Sequence, residues 1–200
     1  MEIHSIESPL GALVVTIHGG AVTSLRFAAV PQAGDFAPSG EGPKSDSFRF
    51  VRDQLAAYFR GEIRQFEVPI KLDGTPFQRR VWLELMTVPY GVSISYGELA
   101  ERIGCPGGSR AVGQANHRNP IAILVPCHRV IGGDGSLTGY GGGLDRKRWL
   151  LEHEAKNLAR QPEWQFRRSR TGARLEPRSQ QRSFPFSLPQ VRKPDERPNT

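Results

Sequence analysis

The chain has 200 residues, two of them cysteines, and a formal net charge of +7 at pH 7. A chain of this length can bury an adequate hydrophobic core, and two cysteines are too few for the disulfide framework of a small secreted domain. No apolar run reaches the length of a signal peptide or a membrane span, so we expect an intracellular, cytoplasmic protein without membrane association.

The positive charge is concentrated at the C-terminal end of the chain. Residues 160–200 contain ten Lys or Arg and four Asp or Glu, whereas residues 1–159 contain seventeen and sixteen. This end is rich in Arg, Pro, Ser and Gln, and its few apolar residues cannot offset the entropy of ordering it. We expect a basic disordered tail that either attracts phosphate groups without sequence preference or is a solvated extension with no role.

Residues 1–73 predict a small α+β scaffold domain. Apolar positions partly alternate around Gly19-Gly20, as in a strand hairpin: Leu13, Val15 and Ile17, then Val22, Leu25 and Phe27. A Pro-, Gly- and Ser-rich loop over 31–46 precedes a helix that ends at Gly61 and has Phe48, Val51, Leu55, Tyr58 and Phe59 at helical spacing. Alternation over residues 66–70 predicts one more strand.

Residues 74–159 predict a second, mainly helical domain. Its predicted helices span residues 76–86, 96–103, 110–117 and 144–158. Pro76 suits a first helical turn, and Ser109 is the predicted N-cap of the third helix. The second and third helices are joined by a Gly-containing turn, which is the pattern of a helix-turn-helix, although spacing alone is a weak signal.

The segment Pro126-Cys127-His128-Arg129-Val130 is the most informative in the sequence. A thiol is nucleophilic as its thiolate, and a neighbouring imidazole and guanidinium are expected to favour that form. An apolar strand over 121–125 would present the thiol at the stiff turn that the proline creates. The alternative is a small buried cysteine at a strand end, because free cysteine is among the most buried residue types.

Three longer runs surround this segment and carry a family resemblance. They are GTPFQRRVWLELMTVPYGVSISYGELAERIG (74–104), SRAVGQAN (109–116) and NPIAILVPCHRVIGGDGSLTGYGGGLDRKRWLLEHE (119–154). In order and spacing they resemble the methylated-DNA–protein-cysteine methyltransferases, the O6-alkylguanine-DNA alkyltransferases. The resemblance implies an α+β (mixed α/β) fold, in which a small sheet-plus-helix domain precedes a winged-helix-like DNA-binding and active-site domain.

The resemblance implies DNA repair by direct transfer of a methyl or other alkyl group from O6-alkylguanine to Cys127, with O4-alkylthymine as a second candidate substrate. His128 would take the thiol proton through a water, Glu154 would orient His128, and Tyr96 would hydrogen-bond the flipped purine. A thioether has no facile leaving group, so one molecule would repair one lesion irreversibly. No cofactor and no metal are implied, and we expect a monomer.

The resemblance also implies that the helix after the turn lies in the minor groove of double-stranded DNA. Its exposed side is expected to carry the small residues Ala111, Gly113 and Ala115, which allow close approach of the backbone. Arg110 would enter the base stack as the target nucleotide is extruded, since an atom inside a duplex is out of reach. Ser109, at the start of this helix, would contact the DNA with it.

A base pocket next to the cysteine is implied as well. Tyr140 would form one wall, the main chain at Val130 and Gly141 would hydrogen-bond the guanine edge, and Pro126 belongs to the same pocket. Asn119 would tie the helix pair to the active-site turn by hydrogen bonds to backbone. The glycine at 141 departs from the small polar residue or alanine common in the family, a change that a backbone contact tolerates.

Three other functions are weighed against this one. A non-catalytic sensor of alkylguanine would not need Cys127, and a regulator without chemistry would leave the pair Cys127 and Glu154 unexplained. A thiol hydrolase would need an oxyanion-hole signature, which is not evident. Arg129 has a competing role as an ion pair within the fold, and Cys105 is taken as incidental.

Overall fold

The computed structural model describes residues 1–28 and 45–160, which form the predicted α+β fold. The elements are β1 (Glu2–Ile6), β2 (Leu13–His18), β3 (Ala21–Phe27), α1 (Asp46–Arg60), α2 (Pro76–Leu85), β4 (Ile94–Ser95), α3 (Tyr96–Arg102), α4 (Ser109–His117), a 3-10 helix (Cys127–Arg129), β5 (Val130–Ile131) and α5 (Leu144–Arg160). Almost all of the predicted loop over 31–46 and of the predicted tail lies outside the described residues.

β1, β2 and β3 form an antiparallel sheet whose spatial order follows the chain order. Alternate β2 residues are buried, as the period of two requires: Leu13, Val15 and Ile17. The turn between β2 and β3 has Gly19 and Gly20 at positive φ, which only glycine adopts without strain. The predicted hairpin is confirmed.

α1 ends at Gly61, as the sequence indicates, and begins at Asp46, the last residue of the predicted loop over 31–46. The Ser45 hydroxyl accepts a hydrogen bond from the Phe48 amide at 3.2 Å, and Gly61 ends the helix in the left-handed conformation. The Phe48 ring lies 4.2 Å from the His4 ring of β1, centroid to centroid. The helix thereby covers the sheet and buries its apolar side, including Tyr58.

α2, α3 and α4 pack against one another. A capping box between Thr75 and Gln78 fixes the start of α2, and the Trp82 indole donates to the Ala115 carbonyl of α4 at 2.8 Å. α3 and α4 are joined by a turn with Gly104 and Gly107 at positive φ. The predicted helices are therefore confirmed to within about two residues at their ends.

Two corrections apply to α4. Ser109 is its first helical residue, whereas Gly108 occupies the N-cap position and supplies no side-chain hydrogen bond. Ala115, expected on the exposed side, is only 3% exposed because it faces α2 and Trp82. The exposed small residue of this helix is Ala111, with Gly113 half-buried beside it.

The strand predicted over residues 121–125 is wrong. The chain turns back on itself there, with the Val125 amide donating to the Ile121 carbonyl at 3.0 Å and Ile123 at a φ of 70°. Prolines at 120 and 126 limit the backbone donors and geometry needed for an extended ladder. Pairing in this segment is limited to isolated bridges, one of them between Ile121 and Leu25 of β3.

The strand predicted over Phe66, Val68 and Ile70 is also wrong. Ile70 alone pairs, in an isolated bridge with Val22 of β3, and Pro69 next to it has no amide to donate. Both bridged segments nevertheless attach to β3, so one hydrophobic core crosses the predicted boundary at residue 73. The division into domains stays a prediction.

None of the helices within residues 1–28 and 45–160 is both long and apolar enough to cross a membrane. The same residues contain no group of three or more His, Cys, Asp or Glu side chains that could hold a metal ion.

Candidate active site

Cys127 lies at the first position of the 3-10 helix that leads into β5. The preceding turn places it there, since its amide donates to the Val125 carbonyl at 2.8 Å. β5 pairs in parallel with β4, which immediately precedes α3. This pairing brings the thiol next to the helix pair, although its side chain is only 5% exposed.

Asn119 holds the thiol and the turn together. Its amide nitrogen donates to Cys127 Sγ at 3.0 Å and to the Val125 carbonyl at 2.8 Å, and its Oδ1 accepts from the Ile121 amide at 3.0 Å. Asn116, near the end of α4, donates to the Cys127 carbonyl at 3.3 Å. Two asparagines thus connect α4 to the turn that carries the nucleophile, in the manner expected for Asn119.

Glu154 lies on α5 and is fully buried beside the 3-10 helix. Its Oε1 is 2.9 Å from His128 Nε2 and 2.9 Å from Arg129 Nη2, and its Oε2 accepts from the Gly91 amide at 2.7 Å. Burial alone would raise the pKa of Glu154, but hydrogen bonds and charge from His128 and Arg129 outweigh it and hold this pKa well below its usual range. The carboxylate is therefore ionised in the folded protein.

His128 is poised to accept a proton. An ionised carboxylate only accepts hydrogen bonds, so Nε2 of the imidazole carries the hydrogen that faces Glu154. Nδ1 is buried and has no hydrogen-bond partner among the described residues. Burial lowers the pKa of His128, with Glu154 acting in the opposite direction, so the ring is neutral near pH 7.

The surroundings of Cys127 favour the protonated thiol over the thiolate, which differs from the expectation drawn from its sequence neighbours. Burial raises its pKa to about 11, against the opposing effects of the Asn119 hydrogen bond and the Lys147 charge. His128 and Arg129 were expected to favour the thiolate, but both side chains are directed to Glu154. Arg129 also donates to the Val88 carbonyl at 2.6 Å, so its ion-pair role is the one that the structure contains.

Lys147 is a site residue that sequence reasoning missed. It is fully buried on α5, where its ammonium donates to the carbonyls of Val130 at 2.5 Å and Thr138 at 2.7 Å. Burial lowers its pKa to about 8, and interaction with Cys127 acts in the opposite direction. It therefore supplies the positive charge near the thiol that the sequence assigned to the neighbours of Cys127.

A signal for Lys147 exists in the sequence. It precedes Glu154 by seven residues, or two helical turns, so the two side chains share one face of α5. Once Glu154 is placed in the site by resemblance, that spacing also places Lys147 there. A lysine on a helix is nevertheless exposed in most proteins, and its acceptors lie on segments distant in the sequence.

A cavity of about 460 Å³ opens beside Cys127. It is lined by Tyr140 and Gly141 on one side, by Asn119 on another and by Arg26 and Arg118 among the remaining residues. Tyr140 is 8% exposed, and its hydroxyl has no hydrogen-bond partner among the described residues. The cavity thus combines an aromatic residue with the nucleophile.

The other predicted pocket residues lie deeper. Val130 is fully buried, with its amide directed to the Cys127 carbonyl and its own carbonyl accepting from Lys147. Its main chain is therefore engaged within the protein, and a contact from it to a base stays a prediction. Pro126 is buried immediately before the nucleophile and caps the 3-10 helix.

A second depression, of about 540 Å³, lies on the side of the helix pair. It is lined by Tyr96, Ser109, Arg110 and Gly113 among others. The Tyr96 hydroxyl donates to the carbonyls of residues 138 and 139 at 3.2 and 3.3 Å. Arg110 is exposed, and its guanidinium has no hydrogen bond or ion pair within residues 1–28 and 45–160, so it is available to a partner.

Comparison with known proteins gives a single answer. Residues 76–156 match the family model of the 6-O-methylguanine DNA methyltransferase DNA-binding domain, and residues 1–72 match the ribonuclease-like domain of the same methyltransferases. A methylated-DNA–protein-cysteine methyltransferase from Mycobacterium tuberculosis is 53% identical over 150 residues, which are 75% of this chain and 90% of that protein. One from Methanosarcina acetivorans is 45% identical over 148 residues, 74% of this chain and 94% of that protein.

Solved structures agree with the sequence comparisons. The structure of M. tuberculosis OGT in complex with DNA has a TM-score of 0.69 and 50% identity, and covers 78% of this chain and 94% of that one. An O6-methylguanine DNA methyltransferase from Methanococcus jannaschii has a TM-score of 0.56 and 25% identity, and covers 76% and 92%.

Proposed function

The chain belongs to the 6-O-methylguanine DNA methyltransferase family, and from this premise we propose that it repairs DNA by moving an alkyl group from guanine O6 to Cys127. The observation that carries the assignment of the acceptor is the buried arrangement of Cys127, His128 and Glu154 next to an open cavity. Such an arrangement supplies a nucleophile, a neutral base and a group that orients the base.

The protonated thiol must lose its proton during the reaction. Nδ1 of His128 takes it through a bridging water, and the imidazolium that forms is stabilised by the ionised Glu154 at 2.9 Å. The positive charge of Lys147 stabilises the thiolate and so offsets part of the desolvation that burial imposes on it. Sulfur then attacks the alkyl carbon as the bond from that carbon to O6 breaks, leaving a thioether on the protein and a guanine anion. The guanine anion takes up the proton that the His128 imidazolium returns through water, so neutral guanine and a neutral imidazole remain.

Tyr96 assists the departure of guanine. Burial raises the pKa of the Tyr96 phenol, which therefore keeps its proton. The phenol donates a hydrogen bond to the purine and offsets the negative charge that develops on the purine. In the structure the same hydroxyl donates to two carbonyls of the loop after β5. Substrate binding must therefore exchange those contacts for the purine.

Delivery of the base is assigned to α4. Ser109, Arg110 and Ala111 form an exposed edge of this helix, which would lie in the minor groove with α3 and α4 acting as a helix-turn-helix. Arg110 would replace the extruded nucleotide in the base stack. The partner is double-stranded DNA with an O6-alkylguanine, and the protein acts as an intracellular monomer without a cofactor.

Intact mass spectrometry tests the proposal. After mixing with an O6-methylguanine duplex, the protein should gain one methylene equivalent, about 14 Da by the thiol-to-thioether chemistry. Peptide mapping should place the adduct on Cys127, Cys127→Ala should show no gain, and Cys105→Ala should behave like the unchanged protein. An adduct on Cys105, or no adduct with the unchanged protein, would overturn the assignment.

A further inference from the structure

Tyr58 connects the N-terminal part of the chain to the active site. It lies on α1, it is fully buried, and its hydroxyl donates to Glu154 Oε1 at 2.8 Å. The two residues are 96 positions apart in the sequence. The same carboxylate oxygen lies 2.9 Å from His128 Nε2, so the tyrosine and the histidine share one acceptor atom.

The phenol is held in place by its surroundings. The Tyr58 ring centroid lies 5.2 Å from that of Phe66, 5.9 Å from that of Tyr90 and 5.5 Å from that of His153. The His153 Nε2 atom also lies 2.9 Å from the Tyr58 carbonyl. These contacts pack around the Tyr58 ring, and its hydroxyl is directed to Glu154.

The hydroxyl is a permanent donor. Burial, together with the adjacent Glu154 charge, raises the pKa of Tyr58 well above its ordinary value, so the phenol keeps its proton at every working pH. A donor that never ionises withdraws charge from Oε1 to a constant extent. Less charge on that oxygen means weaker attraction for the proton of His128.

We propose that Tyr58 is a positioning residue of the alkyl-transfer site, which fixes the Glu154 carboxylate and through it sets how readily His128 takes up a proton. The inference rests on the proposed function, because the proton taken up is that of the Cys127 thiol. A residue of the N-terminal scaffold thereby influences the reaction, although its hydroxyl contacts Glu154 and not the thiol or the His128 ring.

Other charged or titratable groups also face the His128–Glu154 pair. They are Tyr90 in the turn before β4, Arg129 on the 3-10 helix, Tyr140 in the following loop, and Lys147 on α5. Removing the Tyr58 hydroxyl leaves all of them in place. The carboxylate then carries more charge at Oε1, so the pKa of His128 rises, and the neutral base is lost at a higher pH than before.

Tyr58→Phe tests this inference, because it removes the hydroxyl and keeps the ring. The rate of a single turnover with free O6-benzylguanine is measured against pH, and we expect the lower inflection to move up by about one pH unit. Tyr90→Phe is the matched control: its ring belongs to the same cluster and also faces Glu154, but its hydroxyl accepts from Asn157 and is not among the hydrogen-bond donors to the carboxylate. We expect its inflection to coincide with that of the unchanged protein.

Two further measurements separate positioning from support of the fold. NMR titration of the His128 imidazole should show the same upward shift in Tyr58→Phe without any substrate. A difluorinated tyrosine placed at position 58 is a stronger donor of the same shape, and it should move the inflection downward. Opposite shifts from the two changes cannot come from a loss of stability.

The outcomes distinguish failure of the proposed function from failure of the role of Tyr58. If the unchanged protein transfers no alkyl group to Cys127, the proposed function fails. If it does, but the inflection and the His128 titration of Tyr58→Phe coincide with those of the unchanged protein, the proposed function stands and Tyr58 is only a packing residue. Shifts of the same sign in both Tyr58 variants would also overturn the positioning role.

Discussion

The two functional regions of this protein differ in how their side chains are partnered. The side chains around Glu154 are buried, and both carboxylate oxygens accept hydrogen bonds, Oε1 from Tyr58 and His128 and Oε2 from Arg129 and the Gly91 amide. On α4 the exposed edge from Ser109 to Ala111 offers a guanidinium with no partner within the described part of the chain. The carboxylate of Glu154 has its hydrogen-bond partners within the free protein, whereas the guanidinium of Arg110 is free for a partner outside it.

The difference shows which physical constraint acts on each region. A buried ion pair leaves an uncompensated charge when one partner is removed, so the carboxylate region is tied to the stability of the fold. An exposed arginine without side-chain contacts adds little to stability, so under the proposed function the role of Arg110 is recognition of DNA. Substitutions in the two regions should therefore separate stability from recognition.

The largest effect is expected at Glu154. Glu154→Gln removes the charge that compensates Arg129 and should destabilise the protein by roughly 3–5 kcal/mol. Urea unfolding followed by far-UV circular dichroism measures the change. Glu152→Gln, at an exposed position of the same helix, is the control and should stay within about 0.5 kcal/mol of the unchanged protein. Equal stability of the two variants would remove the contrast between the regions.

Arg110→Ala should give the reverse pattern. Repair of an O6-methylguanine duplex should slow by about a hundredfold, because the extruded nucleotide is no longer replaced in the stack. The rate with free O6-benzylguanine and the urea midpoint should not change. Arg49→Ala, at an exposed position of α1, controls for the loss of one positive charge. Similar losses on both substrates would show that Arg110 supports the pocket instead.

Lys147→Met tests whether the positive charge near the thiol contributes to the rate of alkyl transfer. Lys147→Met keeps the apolar stem and removes the ammonium, so the pKa of Cys127 should rise further and the rate with free O6-benzylguanine should fall about tenfold. Arg148→Met, on the exposed side of α5, should react normally. If folded Lys147→Met reacted at the unchanged rate, the positive charge of Lys147 would have no part in alkyl transfer.

The smallest effect is expected from removing residues 161–200. That segment contains nine basic and four acidic residues, and it lies outside the described part of the chain. Duplex affinity should weaken and its dependence on salt should flatten, since fewer counterions are released on binding. The rate with free O6-benzylguanine should not change. Identical salt slopes for the two chain lengths would mean that this charge does not reach the DNA.

Local patterns in the sequence predict the helices and the hairpin well. Pro76 and Gly61 mark helix ends through interactions within a few residues, and the alternation in β2 follows directly from one buried face. The family resemblance proposes which residues belong to the site. One of them is Glu154, which the sequence pattern alone would place on the surface.

What the sequence does not predict depends on distant contacts. The turn over residues 121–125 is fixed by Asn119 and by the bridge to β3, so its apolar composition indicates a strand that does not form. Lys147 can be buried because two carbonyls from other segments accept hydrogen bonds from its ammonium. Tyr58 reaches Glu154 across 96 residues, a pairing that helical periodicity does not contain.

The most direct test of the central claim is the stoichiometry of transfer. The protein is mixed with a tenfold excess of duplex labelled in the O6-methyl group, and the label bound to protein is counted over several hours. Because the thioether on Cys127 has no facile leaving group, we predict one methyl group per protein molecule and no further loss of label from the DNA. Continued removal of methyl groups after the first equivalent would contradict the account.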